Sequence, residues 1–186
     1  MDLTGAGTAA SGGTARSTGT TVLTARGITV RAARDDELDA AGAVVRDAYA
    51  ADGFAVGGYL ETLADARSRA DDATVAVAVD ERGAVLGTVT FALPGSRWAE
   101  LSRPGESEFR ALGVAPDARG RGVGEALTRW CMEESRRVGS TRLVICSLDV
   151  MHAAHRLYGR LGFSRRPDLD WTPDPGVVLL AFSLDL

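Results

Sequence analysis

The chain has 186 residues, 45% of them apolar, and a formal net charge of −4. That is one domain of ordinary size with enough apolar residues for a core, and its charge argues against nucleic acid or an anionic membrane as the main partner. All 21 basic residues are arginine, and lysine, asparagine and glutamine are absent, which excludes Schiff-base chemistry, biotin carriage and the lysine-bearing phosphate loop.

Residues 1–26 are nearly all small or polar. They bury too little to offset their ordering entropy, so they read as a disordered leader, with the domain over 27–186. They also lack the basic start and apolar block of a secretory signal, and no apolar run approaches the roughly 18 residues of a membrane span. The setting expected is cytoplasmic. Ile28–Arg34 alternates and reads as a strand. A helix over 35–50 follows, with Asp35 or Asp36 as N-cap. Tyr59–Ala70 reads as a second, shorter helix. Residues 73–80 and 84–93 are two strands around "ERG", a hairpin signal.

A loop over 94–106 leads to a strand, 107–114. The next helix, 122–138, presents Val123, Ala126, Leu127, Trp130 and Cys131 inward. Residues 141–148 form a strand that reads as buried on both faces. A short helix over 151–162 ends at Gly162, residues 163–166 are brief, and 176–186 close the chain as a strand. Cys131 and Cys146 read as small buried hydrophobes, with no metal or redox spacing. This order, β-α-α-β-β-β-α-β-α-β-β, predicts a single mixed α/β domain. Its sheet is mostly antiparallel, of six to seven strands, with helices on both faces.

The most informative stretch is "EFRALGVAPDARGRGVGEAL", Glu108–Leu127. A strand stops at Pro116, which removes a donor. Gly120, Gly122 and Gly124 then alternate with Arg119, Arg121 and Val123 directly before a helix. Glycine accepts positive φ and lets a ligand approach the backbone. A helix start offers unpaired N–H groups and a partial positive charge, so the loop reads as a phosphate cradle. Arg119 and Arg121 add formal charge for a multiply charged anion. The dinucleotide pattern GxGxxG fails, because Glu125 stands where its third glycine belongs.

What does match is Gln/Arg-x-x-Gly-x-Gly/Ala, filled by Arg119, Gly122 and Gly124 after a strand ending in Val114 and Pro116. With the helix that follows and "RLYGRLGF" downstream, the chain resembles the GCN5-related N-acetyltransferase (GNAT) superfamily over Ile28–Leu186. The resemblance implies that the strand before the loop splays from its neighbour. Its free backbone at Leu112, Gly113 and Val114 would bond the pantetheine arm of coenzyme A, and the amides from Arg119 to Gly124 would hold the pyrophosphate. It implies Tyr158 as the general acid for the departing thiolate. The family often has asparagine seven residues before this tyrosine; Met151 stands there instead, so one usual polar contact to the cofactor is missing or made by another group, for which His152 and His155 are candidates. Glu108, eleven residues before Arg119, is the candidate base that deprotonates the acceptor. Simple alternation puts it on the face of Leu112 and Val114. Glu106 is a second candidate, and a plain Glu108–Arg110 rim charge is the competing reading.

The resemblance implies acetyl-CoA as co-substrate, no metal, and direct transfer of acetyl to a primary amine on a small molecule or peptide. The acceptor loops are 51–59, 94–105 and 166–176. They carry Phe54, Tyr59, Trp98 and Trp171, with Asp52, Asp168, Asp170 and Asp174. Aromatics beside carboxylates suit a cationic amine. A homodimer through the final strand is compatible with the fold. The alternative function is a degenerate module that binds or senses acyl-CoA without turnover.

Overall fold

Leu23 and Ala25 alternate with polar residues just ahead of Arg26-Gly27, and that is enough to start the sheet early. The computed structural model describes residues 21–55 and 58–186. Strand β1 (Leu23–Ala25) forms a hairpin with β2 (Ile28–Ala32). Its two turn residues, Arg26 and Gly27, have φ of 53° and 72°. A two-residue turn with both φ positive matches the twist of its strands, and glycine is the usual second residue. The Thr21 carbonyl accepts the Trp130 indole N–H at 2.8 Å. Thr21 and β1 thus pack on the domain ahead of the start expected at Gly27; residues 1–20 of the expected leader lie outside the described residues.

Helix α1 (Leu38–Ala51) is opened by Glu37 rather than by Asp35 or Asp36. Its Oε2 accepts the Arg34 N–H at 2.7 Å, and its Oε1 accepts from Arg31 at 2.6 Å. The second expected helix is two, α2 (Gly58–Ala64) and α3 (Ala66–Ala70), because Asp65 breaks the run. Its side chain caps α3 by accepting the Ser68 N–H at 2.9 Å. Gly42 lets α1 meet the end of α2: a Cβ there would lie 1.8 Å from the Ala64 oxygen.

Strands β3 (Thr74–Val79) and β4 (Val85–Ala92) form the expected hairpin. Asp80 stabilises its turn by accepting the amides of Arg82 and Ala84. Then come β5 (Glu106–Val114), α4 (Val123–Arg137), β6 (Arg142–Leu148), α5 (His152–Arg160), β7 (Ser164–Arg165) and β8 (Leu179–Asp185). The sheet runs β1-β2-β3-β4-β5-β6-β8-β7, and only β5 and β6 are parallel. Eight strands exceed the expected six to seven, and β1 is the addition. On one face Val75 and Val77 pack beneath Leu38, Ala41 and Ala66. On the other, Val89, Leu127, Trp130 and Ile145 share the larger core.

Two irregularities shape the centre. The β5–β6 ladder has three pairs, from Glu106–Arg142 to Glu108–Val144, and then stops. Beyond it β6 stays paired with β8 along its whole length, while β5 stays with β4. The sheet therefore opens as a wedge. Within β5 the register slips: Thr88 faces Gly113 but Thr90 faces Arg110, so β5 carries an extra residue, and Ala111 takes φ 49°. This bulge reverses the alternation. Ser107 bonds Ser135 of α4, so Glu108 points to the α1 face, whereas Leu112 and Val114 pack on the α4 side. The expected common face of Glu108, Leu112 and Val114 is thereby corrected.

Candidate active site

Beyond Glu108, the edge of β5 that turns toward β6 has no strand partner. It carries Leu112, Gly113 and Val114. A strand edge without a partner presents N–H and C=O groups to any extended chain that lies beside it. Helix α1 crosses close above it. A Cβ on Gly113 would come within 2.8 Å of the Val45 Cα. Glycine at that position lets α1 settle on the open half of the strand and brings Tyr49 and Asp52 over the wedge.

The glycine loop follows at once. Pro116–Ala118 make a 3-10 turn that takes up the Arg119 amide, 3.4 Å from the Pro116 oxygen. Gly120 and Gly122 have φ of 74° and 84°. Gly122 is the N-cap of α4, in the left-handed region and with no side chain capping the helix. The first α4 amides, at Val123, Gly124 and Glu125, thus have no intrahelical acceptor. Nothing lies within 4 Å of a Cβ placed on Gly120 or Gly122. On Gly124 it would meet Leu157 and Val114, both at 3.7 Å, so a side chain would fill the space between β5 and α5. The geometry fits a multiply charged anion on the helix start and an extended amide-bearing chain on the strand edge. Arg121 is exposed. Arg119 is engaged: its two terminal nitrogens grip Asp52 at 2.9 and 3.0 Å.

Two hollows flank the wedge. A groove of about 640 Å³ runs past Leu112, Gly113, Val114, Arg119, Gly124 and Tyr158. A cavity of about 430 Å³ lies against Arg110, Ala111, Cys146 and Leu148. Tyr49, Phe54 and Met151 line both. Met151, seven residues before Tyr158, is 9% exposed and forms part of the shared wall. Tyr158 reaches the groove from α5, its ring wedged among Phe109, Phe163 and Phe182 at 5.7–5.8 Å between centroids. Burial pushes its phenol well above the usual range, so the hydroxyl holds its proton. Burial likewise pushes the Cys146 thiol up to about 11, so it is not a thiolate near neutral pH.

The expected acids sit elsewhere than the sequence suggested. Glu108 is 1% exposed and absent from the cavity wall. Its Oε2 accepts three successive amides, Glu100 at 3.0 Å, Leu101 at 2.8 Å and Ser102 at 2.9 Å. Burial raises its pKa against the pull of those amides. Glu108 therefore holds the loop before β5 in place. Glu106 is bound to Arg142 and to the Arg103 amide. The acid that the loop delivers to the cavity is Glu100, ion-paired with Arg110 at 2.6 Å. Burial works against the Arg110 charge, but Glu100 and Tyr59 beside it more than restore it.

Of the aromatics named from the acceptor loops, Phe54, Tyr59 and Trp171 line the cavity. Trp98 sits behind Arg110, its ring centroid 5.9 Å from the guanidinium carbon. Of the four aspartates only Asp174 lines the cavity; Asp52 faces the groove, and Asp168 and Asp170 pair with Arg166 and Arg165. The His155 Nε2 lies 2.9 Å from the Ser147 hydroxyl, and His152 borders the groove. Sequence reading passed over Tyr49 and Glu100. Tyr49 could have been found as the aromatic in the last turn of α1; nothing local marks Glu100.

A protein-family model described as the acetyltransferase (GNAT) family matches residues 43–163, which contain the wedge, the glycine loop and Tyr158. The chain belongs to that family. It is 35% identical over 149 residues to a mycothiol acetyltransferase of Salinispora arenicola, covering 75% of this chain and 45% of that protein. It is 32% identical over 108 residues to an uncharacterised N-acetyltransferase of Schizosaccharomyces pombe, covering 58% of this chain and 62% of the other. The chain thus spans less than two thirds of either relative. Among solved structures, a GCN5-related N-acetyltransferase from Kribbella flavida superposes with a TM-score of 0.63 and 25% identity over 86% of this chain and 98% of that one. Among the described residues no helix is long and apolar enough to cross a membrane. Nor, among them, does any cluster of three His, Cys, Asp or Glu suit a metal ion.

Proposed function

We propose that the protein moves an acetyl group from acetyl-CoA to a primary amine by direct attack in a ternary complex. The observation that carries this reading is the wedge between β5 and β6, with an anion-suited groove and an aromatic cavity sharing Tyr49, Phe54 and Met151. Two reactants entering from opposite sides would meet at that shared wall without a covalent relay. Acetyl-CoA, when bound, supplies the thioester. Its pyrophosphate would rest on the amides of Val123, Gly124 and Glu125, flanked by Gly120, Arg121 and Gly122. Its pantetheine arm would lie along Leu112, Gly113 and Val114. Arg119 joins by leaving Asp52.

Tyr158, which lines the groove and keeps its proton, would give that proton to the departing thiolate. Glu108 is better suited to positioning than to proton abstraction, because its Oε2 is committed to three amides. The acceptor ammonium would shed its proton to water at the cavity and attack as the free amine. An acyl-cysteine route gains nothing from a Cys146 thiol that is protonated at neutral pH.

The test is thiol release from acetyl-CoA in the presence of an amine panel, with mass analysis of the products. Amine-dependent release with one acetyl group on nitrogen is expected. Tight acetyl-CoA binding with no release for any amine would replace this reading with a sensing module.

A further inference from the structure

The walls of the cavity constrain what can enter it. This step rests on the acetyl-transfer reading above and concerns the same cavity. Four aromatic rings, Tyr49, Phe54, Tyr59 and Trp171, line it together with the aliphatic side chains of Leu148 and Val177. Among the described residues its charged groups are three: Glu100, Arg110 and Asp174. Glu100 and Arg110 neutralise each other across 2.6 Å, with Tyr59 beside Arg110. Asp174, an exposed residue of the segment before β8, leaves the cavity with one net negative charge.

Consider three kinds of amine. A free amino acid brings a carboxylate. The cation on the wall is already committed, so the carboxylate would be buried without a partner. A polyamine brings two or more ammonium groups into a space with a single uncommitted acid, and each unpaired charge loses its hydration. A monoamine on a ring or a compact apolar body buries that body among the aromatics, and its ammonium is drawn first by the rings and Asp174. An apolar surrounding also disfavours the ammonium and promotes the free amine that attacks. The volume of about 430 Å³ is in the range of small-ligand sites.

We infer that the acceptor is a primary monoamine carried on an aromatic or compact apolar body, free of carboxylate and of further amines. The Glu100–Arg110 pair, held in register by Glu108, acts as the specificity element that rejects acidic acceptors.

The experiment uses the full chain with saturating acetyl-CoA and measures kcat/KM for phenethylamine, spermidine and phenylalanine. Calorimetry of phenethylamine on the CoA-bound protein provides a second, turnover-free readout. Phenethylamine is expected to be preferred by at least about tenfold over either competitor. Tyr59→Ala and Trp171→Ala are each expected to raise its KM several-fold with kcat little changed, and Tyr59→Phe to restore most of it. Tyr59 is 44% exposed, so its truncation leaves the fold intact. A preference for spermidine or phenylalanine would overturn the inference and leave acetyl transfer standing. Phenethylamine that neither binds nor reacts would overturn it as well. Phenethylamine that binds the CoA complex, loses binding in Trp171→Ala, and yet releases no thiol would support the cavity's preference and remove the acetyl-transfer reading instead.

Discussion

The two hollows beside the wedge are built in different ways. The groove takes its backbone donors from one continuous stretch, Leu112 to Glu125, where a strand edge, a glycine loop and a helix start succeed one another. The cavity is assembled from six separated segments: the end of α1, the start of α2, the loop before β5, β5 itself, the end of β6 and the segment before β8. A backbone-built site is tolerant of side chains and intolerant of backbone change. A side-chain-built site behaves the other way round. The groove should therefore fail all at once and the cavity by degrees.

The largest effect is expected from Gly122→Val. The residue sits at φ 84° in the cap of α4, a conformation β-branched side chains avoid. Acetyl-CoA affinity should fall by about a hundredfold or more in calorimetry. Gly124→Ala is the gentler form, since its Cβ would make only ordinary contacts at 3.7 Å; the fold should hold while affinity drops. Unchanged affinity in both would break the comparison.

Next is Tyr158→Phe. It removes a hydroxyl and keeps the ring that packs on Phe109, Phe163 and Phe182. kcat should fall about 10² to 10⁴-fold, with acetyl-CoA affinity unchanged. A loss of affinity with kcat preserved would assign Tyr158 to binding alone.

Glu108→Ala sharpens the cavity side. It strips three amides of their acceptor, at a cost of about 2–4 kcal/mol in denaturant unfolding. Its kinetic signature should be a raised amine KM, because the displaced loop carries Glu100. If Glu108 were instead the base, Glu108→Ala would lower kcat and flatten its pH dependence with KM little changed.

The smallest effect is expected at Asp52, which is ion-paired with Arg119. Asp52→Asn should tighten acetyl-CoA by a few-fold, most visibly at low ionic strength. Weaker binding would show that Asp52 organises the groove rather than blocks it.

The same contrast decides what could be read from the chain. Gly120, Gly122 and Gly124 are legible because the role proposed for them lies in the backbone of one short stretch. The element order was readable for the same reason, since periodicity is local. The bulge at Ala111 was not. Nothing in "FRALGV" marks an alanine at φ 49°, yet that single extra residue turns Glu108 away from Leu112 and makes it a loop anchor. Strand β1 was hidden by its small polar neighbours, although Arg26-Gly27 already carried the hairpin turn. Glu100 escaped notice because its place depends on Glu108 and Arg110, which lie eight and ten residues away and meet it only in the folded sheet.

The central claim is that the open edge of β5 and the start of α4 receive acetyl-CoA. Hydrogen–deuterium exchange with and without acetyl-CoA tests it most directly. Slowed exchange at Leu112–Val114 and at Gly122–Glu125, with β1–β3 unchanged, is the result predicted. Unchanged exchange at both segments under saturating ligand, or protection confined to the cavity around Tyr59 and Trp171, would contradict it.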